Sequence, residues 1–148
     1  MIHYLDCEFN GFCGDLISLA LTGEAGELYL ARPEDELSEL DLHPWVAQHV
    51  RPVISAEGAV PERCPLDLFG PSIQKFLKDD PSPVIIADWP EDIAHFMRCL
   101  ITGPGMMVSL PEIQTRLVPA VRGIAYPDGG VMHNALWDAR MLRLGMEL

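Results

Sequence analysis

Hydrophobic and polar residues at the start of the chain follow a pattern typical of β-structure. The segment 2–9 is rich in aromatic and β-forming residues and predicts a first strand. Two more strands are predicted over 16–21 and 27–31, because the segment 22–26 (Thr-Gly-Glu-Ala-Gly) has the composition of a hairpin turn. We therefore expect the chain to open with a three-stranded antiparallel meander.

Helical patterns dominate the rest of the chain. The predicted helices are 33–41, 43–50, 66–78, 88–101 and 134–148. The continuous apolar run 83–87 predicts a buried, parallel strand, and one or two more strands are expected between residues 106 and 121. The segments 55–65 and 126–130 are predicted loops. Because no repeat or linker interrupts the pattern, we expect one α/β domain over 1–148.

Composition places the chain among globular proteins. It has 148 residues, of which 49% are hydrophobic, and this is too apolar for a disordered acidic chain. No apolar run approaches the roughly 18 residues of a membrane-spanning helix, and the first residues lack the basic and apolar regions of a signal peptide. We therefore expect a cytoplasmic protein without a membrane partner.

The four cysteines are scattered along the chain. They are Cys7, Cys13, Cys64 and Cys99, with no C-x-x-C pair among them. This spacing does not support a zinc ribbon or a redox motif, and it favours free thiols over disulfides.

Two carboxylates lie on the first predicted strand. Alternation places Asp6 and Glu8 on one face and Cys7 on the other. Two carboxylates this close are unfavourable among core residues unless a cation lies between them. The alternative is an acidic pair that faces solvent on an edge strand, and the D-x-E pattern alone does not separate the two.

The last predicted helix carries a second unusual carboxylate. Asp138 shares a helical stripe with the apolar residues Met141 and Leu142. A metal ion is one possible partner for it, and the N–H groups of the helix N-terminus are another. His133 lies just before Asn134, a good candidate for the N-cap. We therefore expect the side chains of His133 and Asp138 to reach the same space.

Two aspartates follow the buried strand and compete for a functional role. Asp88 and Glu91 fit a capping box, which would give Asp88 a structural role at the helix N-terminus. Asp92 shares a helical stripe with Phe96, which turns it toward the interior. We favour Asp92 as the functional carboxylate and keep Asp88 as the alternative.

Taken together, these three sites resemble the motifs of the DEDD 3′–5′ exonuclease superfamily, in its DEDDh branch. The segment 6–12, D-x-E-x-x-G-F, resembles the first motif, and the segment 133–138, H-x-x-x-x-D, resembles the third. Asp92 stands where that family places its second motif. The resemblance covers residues 4–140 and is greatest to ribonuclease T-like and oligoribonuclease-like exoribonucleases. It implies a ribonuclease H-like fold, with a mixed central sheet that opens with the meander and is flanked by helices.

The resemblance also implies a reaction, the hydrolysis of phosphodiester bonds from the 3′ end of short single-stranded substrates, with RNA favoured over DNA. Two divalent cations, Mg²⁺ or Mn²⁺, would be held by the oxygen ligands that they prefer, namely Asp6, Glu8, Asp92 and Asp138. His133 would be the general base, since histidine exchanges protons near neutral pH. A homodimer is expected on the same ground.

Nucleotide contacts are expected from three further residues. Phe9 and Phe12 follow the first motif and would stack on the terminal base, an interaction worth about 1–3 kcal/mol per base. Core packing is the alternative for both. Arg140 lies in the C-terminal third, where arginines outnumber acidic residues, and we expect it to contact substrate phosphates. A solvated surface position is the alternative.

Charge limits the substrate. The chain has 22 acidic and 10 basic residues, for a formal net charge of −12, which argues against tight binding of long duplex nucleic acid. Bound cations would offset part of this charge, so short 3′ ends remain compatible with it. Two other functions stay open: a 3′–5′ exodeoxyribonuclease, and a non-catalytic interaction module of ribonuclease H-like fold. The complete set of candidate ligands favours an enzyme over the module.

Overall fold

The computed structural model describes all 148 residues and shows a mixed six-stranded sheet with helices on both faces. The strands are β1 (Ile2–Phe9), β2 (Leu16–Gly23), β3 (Gly26–Ala31), β4 (Glu62–Arg63), β5 (Val84–Ala87), β6 (Ile101–Gly103), β7 (Met106–Met107) and β8 (Gln114–Leu117). The helices are α1 (Glu34–Glu39), α2 (Pro44–His49), α3 (Phe69–Leu77), α4 (Pro90–Cys99) and α5 (Ala135–Glu147). The order across the sheet is β4-β3-β2-β1-β5-β8, and β6 and β7 form a separate hairpin.

The first three strands form the antiparallel meander that the sequence predicts. β5 pairs with β1 in parallel, and β8 pairs with β5 in parallel, so the prediction of a buried, parallel strand is confirmed. The register between β1 and β2 shifts between Glu8 and Phe9. Such a bulge re-aims the side chains at the end of a strand, and here it lies beside Glu8.

The two faces of the sheet are covered by different helices. α3 and α4 cover the face that carries Leu5 and Cys7, where the largest hydrophobic cluster lies. α5 covers the opposite face, where Tyr4 packs with Leu142. Because alternate residues of a strand share a face, Asp6 lies on the same side of the sheet as α5. The predicted sidedness of the first strand is therefore confirmed.

Short elements account for most of the differences from the predicted secondary structure. The predicted loop 55–65 contains β4, which pairs in parallel with β3. The predicted helix 88–101 ends at Cys99, and β6 follows at Ile101–Gly103. The predicted helix 66–78 begins with a 3₁₀ turn over Leu66–Leu68. Strands of two or three residues are too short to show an alternating pattern, so the sequence does not reveal them.

All four cysteines are free, as their spacing predicts. Cys7 and Cys64 are buried, whereas Cys13 is exposed. None of the helices has the length and apolar composition needed to cross a lipid bilayer.

Candidate functional site

The structure brings the end of β1 and the start of α5 together around a group of acidic side chains. Ligand atoms of Glu8, His133 and Asp138 all lie within 4.8 Å of one another. Asp6 and Asp138 line one cavity of about 220 Å³. Four of the residues predicted from the first and third motifs, Asp6, Glu8, His133 and Asp138, therefore share one space. We call Asp6, Glu8 and Asp138, together with Asp92, whose negative charge acts on Asp6, the carboxylate cluster.

The N-terminus of α5 is held in place by Asn134, which is fully buried. Its side-chain oxygen accepts a hydrogen bond from the backbone N–H of Trp137 at 3.1 Å, as predicted for an N-cap. Its side-chain amide donates to the carbonyl oxygens of Val53 and Ile54, at 2.9 and 3.0 Å. These bonds fix the beginning of the helix, and with it Asp138 one turn further on.

His133 has an unusual backbone conformation. Its φ of 64° lies in the left-handed region, which few non-glycine residues adopt. In this conformation the backbone N–H of His133 donates to Oδ2 of Asp138 at 3.0 Å. The turn before α5 therefore places the histidine beside Asp138 and fixes one oxygen of the carboxylate.

The interpretation of Asp88 as an N-cap is wrong. α4 begins at Pro90, with Trp89 as the N-cap residue. The fixed φ of proline suits the first position of a helix, so Pro90 sets where α4 starts. The side chain of Glu91 accepts hydrogen bonds from the backbone N–H of Cys13 and from Nε1 of Trp89. Asp88 has no capping role and instead lines the cavity that holds Asp6.

Asp92 is turned inward, as its position on the helix predicts, and is only 2% exposed. It does not line the cavity. Burial, followed by the negative charge of Asp88, raises the pKa of Asp92 to about 8. The second-motif segment thus supplies two carboxylates, Asp92, which is buried, and Asp88, which lies on the cavity wall.

Asp6 and Glu8 are the strongest electrostatic anomaly. Burial raises the pKa of Asp6 well above its usual range, and the negative charge of Asp92 raises it further. Burial and the neighbouring Asp138 do the same for Glu8. Oδ2 of Asp6 is buried and has no hydrogen-bond partner. A buried carboxylate without a partner is strongly unfavourable, so this cluster requires either bound protons or a cation.

Asp138 differs from the rest of the carboxylate cluster because donors of the protein reach both of its oxygens. The hydroxyl of Tyr126 donates to Oδ1 at 2.5 Å, and the backbone N–H of His133 occupies Oδ2. Burial still raises the pKa of Asp138 despite the opposite effect of these bonds. No sequence pattern indicates Tyr126, since it lies in an irregular segment twelve residues from Asp138.

A second cavity, of about 730 Å³, extends from Glu8 and is lined by aromatic side chains. We call it the aromatic groove, and its aromatic members are Phe9, Phe12, Trp45 and Trp89. Phe12 is 90% exposed, so core packing is wrong for this residue. Phe9 packs against the main core and contacts the ring of His95 at a centroid distance of 4.9 Å. Phe9 therefore serves the core as well as the groove.

Trp45, which the sequence patterns do not predict as a site residue, connects the aromatic groove to His133. Its ring lies edge-on to that of His133, at a centroid distance of 4.9 Å. Asn10 holds the preceding segment, because its side chain donates to the carbonyl of Asp41 and accepts from the N–H of His43. These two bonds tie the loop after β1 to the start of α2. No local sequence pattern indicates the contact of Trp45 with His133, because the two residues lie far apart in the chain.

Arg140 lies outside both cavities. Its guanidinium donates two hydrogen bonds to Glu27, at 2.8 and 2.7 Å. The same group lies over the ring of Trp137, 4.6 Å from its centroid. The expected contact of Arg140 with substrate phosphates stays a prediction. In this structure the guanidinium N–H groups that would make it are bonded to Glu27.

The donor set fits a hard divalent cation. Carboxylate oxygens predominate, with one imidazole and no thiolate within the group, and Mg²⁺ and Mn²⁺ prefer such ligands. The unpaired oxygen of Asp6 is the position at which a cation would relieve the largest electrostatic penalty. No known family model and no curated protein matches this chain.

Proposed function

We propose that this chain is a metal-dependent 3′–5′ exonuclease that acts on short single-stranded ends, with RNA as the favoured substrate. The observation that carries the proposal is the carboxylate of Asp6, whose Oδ2 is buried without a partner and which lies among further carboxylates beside an aromatic groove. The antiparallel meander, extended by the parallel strands β5 and β8, is compatible with the ribonuclease H-like fold that such an enzyme would have.

The carboxylate cluster would hold two divalent cations, Mg²⁺ or Mn²⁺. Asp6, Glu8 and Asp138 are the central ligands, and either Asp92 or Asp88 completes the set. Asp92 has the raised pKa of a carboxylate that lacks a counterion, whereas Asp88 faces the cavity directly. When bound, the cations would polarise the scissile phosphate and offset the charge that develops on its oxygens.

His133 would act as the general base and take the proton of the attacking water. Its imidazole is partly buried beside Glu8 and Asp138, and the edge-on contact with Trp45 restricts its orientation. The same position makes it a possible metal ligand. His133→Ala separates the two roles, because loss of a general base slows turnover and leaves the affinity for Mn²⁺ unchanged, whereas loss of a ligand weakens it.

The aromatic groove would bind the terminal bases by stacking. Phe12, Trp45 and Trp89 all expose large parts of their rings, and base stacking on such rings tolerates any sequence. The groove begins at Glu8, so a base held there would place its phosphate near the carboxylate cluster. Because stacking needs few basic residues, this mode of binding suits a chain with a net charge of −12.

The test uses RNA and DNA oligomers of equal sequence, labelled at the 5′ end, with Mg²⁺, Mn²⁺ or a chelator. We expect metal-dependent shortening from the 3′ end, faster for RNA. Asp6→Asn removes the central ligand, and Asp79→Asn, which makes the same charge change at an exposed position, is the matched control. No shortening of either strand, or equal rates in the wild type and Asp6→Asn, would overturn the proposal. If DNA is shortened faster than RNA, DNA is the favoured substrate instead.

A further inference from the structure

The irregular segment 119–130 covers the cavity of the carboxylate cluster. Three of its side chains line the cavity opposite the carboxylates: Val121, Ile124 and Tyr126. The segment rests on α5 at Gly145, where an added Cβ would lie 2.1 Å from Cγ1 of Val121 and 2.9 Å from Cδ1 of Ile124. The glycine therefore allows an apolar contact that brings this segment over the site.

Hydrogen bonds hold this segment at only one point near the cavity. Residues 119–126 make no backbone–backbone hydrogen bond, and the main chain is bonded again only in the turn that joins Pro127 to Gly130. Across 119–126 the one side-chain hydrogen bond is that of Tyr126 to Asp138. The position of the segment over the cavity therefore depends on apolar packing and on this single bond.

The hydroxyl of Tyr126 occupies the oxygen of Asp138 that is not bonded to the backbone. Oδ2 of Asp138 is held by the N–H of His133, which belongs to the fixed start of α5. Oδ1 is held by Tyr126, which lies on the weakly bonded segment. A carboxylate oxygen has lone pairs for a hydrogen bond and for a metal ion, but the phenolic proton and the cation repel each other at Oδ1, so binding of the cation weakens the bond from Tyr126. Tyr126 is the donor that is able to leave.

We propose that Tyr126 competes with a divalent cation for Asp138, so that its hydroxyl compensates the carboxylate in the metal-free protein and leaves when the cation binds. Departure of Tyr126 would leave the segment 119–126 held over the cavity by apolar packing alone, so that it moves away more readily and opens the site to substrate. This inference rests on the proposed function, because it requires that the carboxylate cluster binds a cation.

Titration calorimetry with Mn²⁺ tests the competition. Tyr126→Phe keeps the ring and removes the competing donor, so we expect it to bind Mn²⁺ about tenfold more tightly than the wild type, the scale of one hydrogen bond to a charged group. Tyr29→Phe is the matched control, since that hydroxyl donates to the carbonyl of Ile54 and to no carboxylate. Its affinity for Mn²⁺ is expected to equal that of the wild type.

The outcomes separate this inference from the proposed function. If the wild type binds Mn²⁺ and Tyr126→Phe binds it equally or more weakly, the competition is refuted and the metal site stands. Weaker binding would make Tyr126 a residue that positions Asp138 for the cation. If the wild type gives no more binding heat than Asp6→Asn, both the metal site and the competition fail.

Limited proteolysis measures the release of the segment directly. Arg122 is exposed in the middle of it, and trypsin cleavage there gives fragments 1–122 and 123–148. We expect Mn²⁺ to accelerate this cleavage in the wild type and Tyr126→Phe to be cleaved at the faster rate without Mn²⁺. Cleavage that Mn²⁺ slows or leaves unchanged in the wild type would contradict the release.

Discussion

The strand β1 carries His3 near its start and Asp6 near its middle, and the fold provides a partner for only one of these two ionisable side chains. Near the start, His3 is fully buried, and its Nε2 lies 2.8 Å from Oδ2 of Asp80, which is 3% exposed. Three residues further along, Asp6 has an oxygen without a partner and neighbours of its own charge. Both residues lie on the same strand, so their place in the sheet does not explain the difference.

Asp80 and Asp6 differ in the direction of their pKa shifts. Burial acts to raise the pKa of Asp80, but hydrogen bonds from His3 and from the amino group of Met1 outweigh it, and the pKa is lowered. Burial raises the pKa of Asp6, and nothing in the protein offsets the effect. A buried charge with a partner in the chain supports the fold, whereas one without a partner is suited to an external ligand.

The largest expected effect is the loss of activity in Asp6→Asn. Removing the central ligand is expected to slow RNA shortening about a thousandfold, or about 4 kcal/mol in activation free energy. Urea unfolding of the metal-free variant should show no loss of stability, because the neutral amide relieves repulsion within the carboxylate cluster. If the variant keeps a tenth of the wild-type rate, or is clearly less stable without metal, the proposed difference between Asp6 and Asp80 is wrong.

Asp80→Asn is expected to act in the opposite sense. It leaves His3 buried without its charged partner, so the free energy of unfolding should fall by about 3 kcal/mol. Urea denaturation at pH 7 measures this loss. Turnover per folded molecule is expected to stay at the wild-type value, because Asp80 lies outside the carboxylate cluster. An unchanged unfolding free energy would show that the pair is not what compensates this end of β1.

The stability of the metal-free protein is expected to depend on pH through the carboxylate cluster. The pKa of Asp92 is about 8 in the folded protein and about 3.9 in an unfolded chain, so the folded state binds the extra proton between these values. Stability should therefore fall as the pH rises from 4 to 8, by up to about 1.4 kcal/mol per pH unit for one group. Asp80, with its lowered pKa, contributes the reverse trend, which is confined to acidic pH.

Urea unfolding at pH 5, 6, 7 and 8 measures this slope, with Asp92→Asn as the variant expected to reduce it. Saturating Mn²⁺ should abolish the slope in the wild type, because the cation replaces the protons. A stability that rises with pH over this interval in the absence of metal would contradict the raised pKa values of the cluster.

The smallest effect is expected at Arg140, which has its partner at the surface. Arg140→Ala breaks a partly exposed ion pair with Glu27 and should lower the unfolding free energy by about 0.5 kcal/mol. Since Glu27 occupies the guanidinium, RNA shortening is expected to be unchanged. A rise in the KM for RNA would instead assign to Arg140 the phosphate contact that its position in the sequence predicts.

Local patterns were sufficient to predict the elements that carry the site. The meander, the placement of Asp6 and Glu8 on one face of β1, and the N-cap at Asn134 each follow from residues close together in the chain. Alternation and helical periodicity are properties of single elements, and tertiary packing left them unchanged here.

Features that depend on contacts between distant segments were not predictable in this way. Tyr126 reaches Asp138 from an irregular segment, and Trp45 reaches His133 from α2, whose start is bonded to Asn10. The wrong interpretation of Asp88 had a local cause, since a capping-box pattern competed with a proline that sets the start of α4.

A crystal structure of the protein soaked in Mn²⁺, with anomalous scattering used to locate the ion, tests most directly whether the carboxylate cluster binds a cation. The carboxylate cluster lacks a compensating group within the chain, so we expect anomalous peaks between Asp6, Glu8 and Asp138. The data would also show whether Asp92 or Asp88 completes the set of ligands. A soak at saturating Mn²⁺ that gives no anomalous peak at Asp6 and leaves the carboxylate cluster unchanged would contradict the proposed metal site.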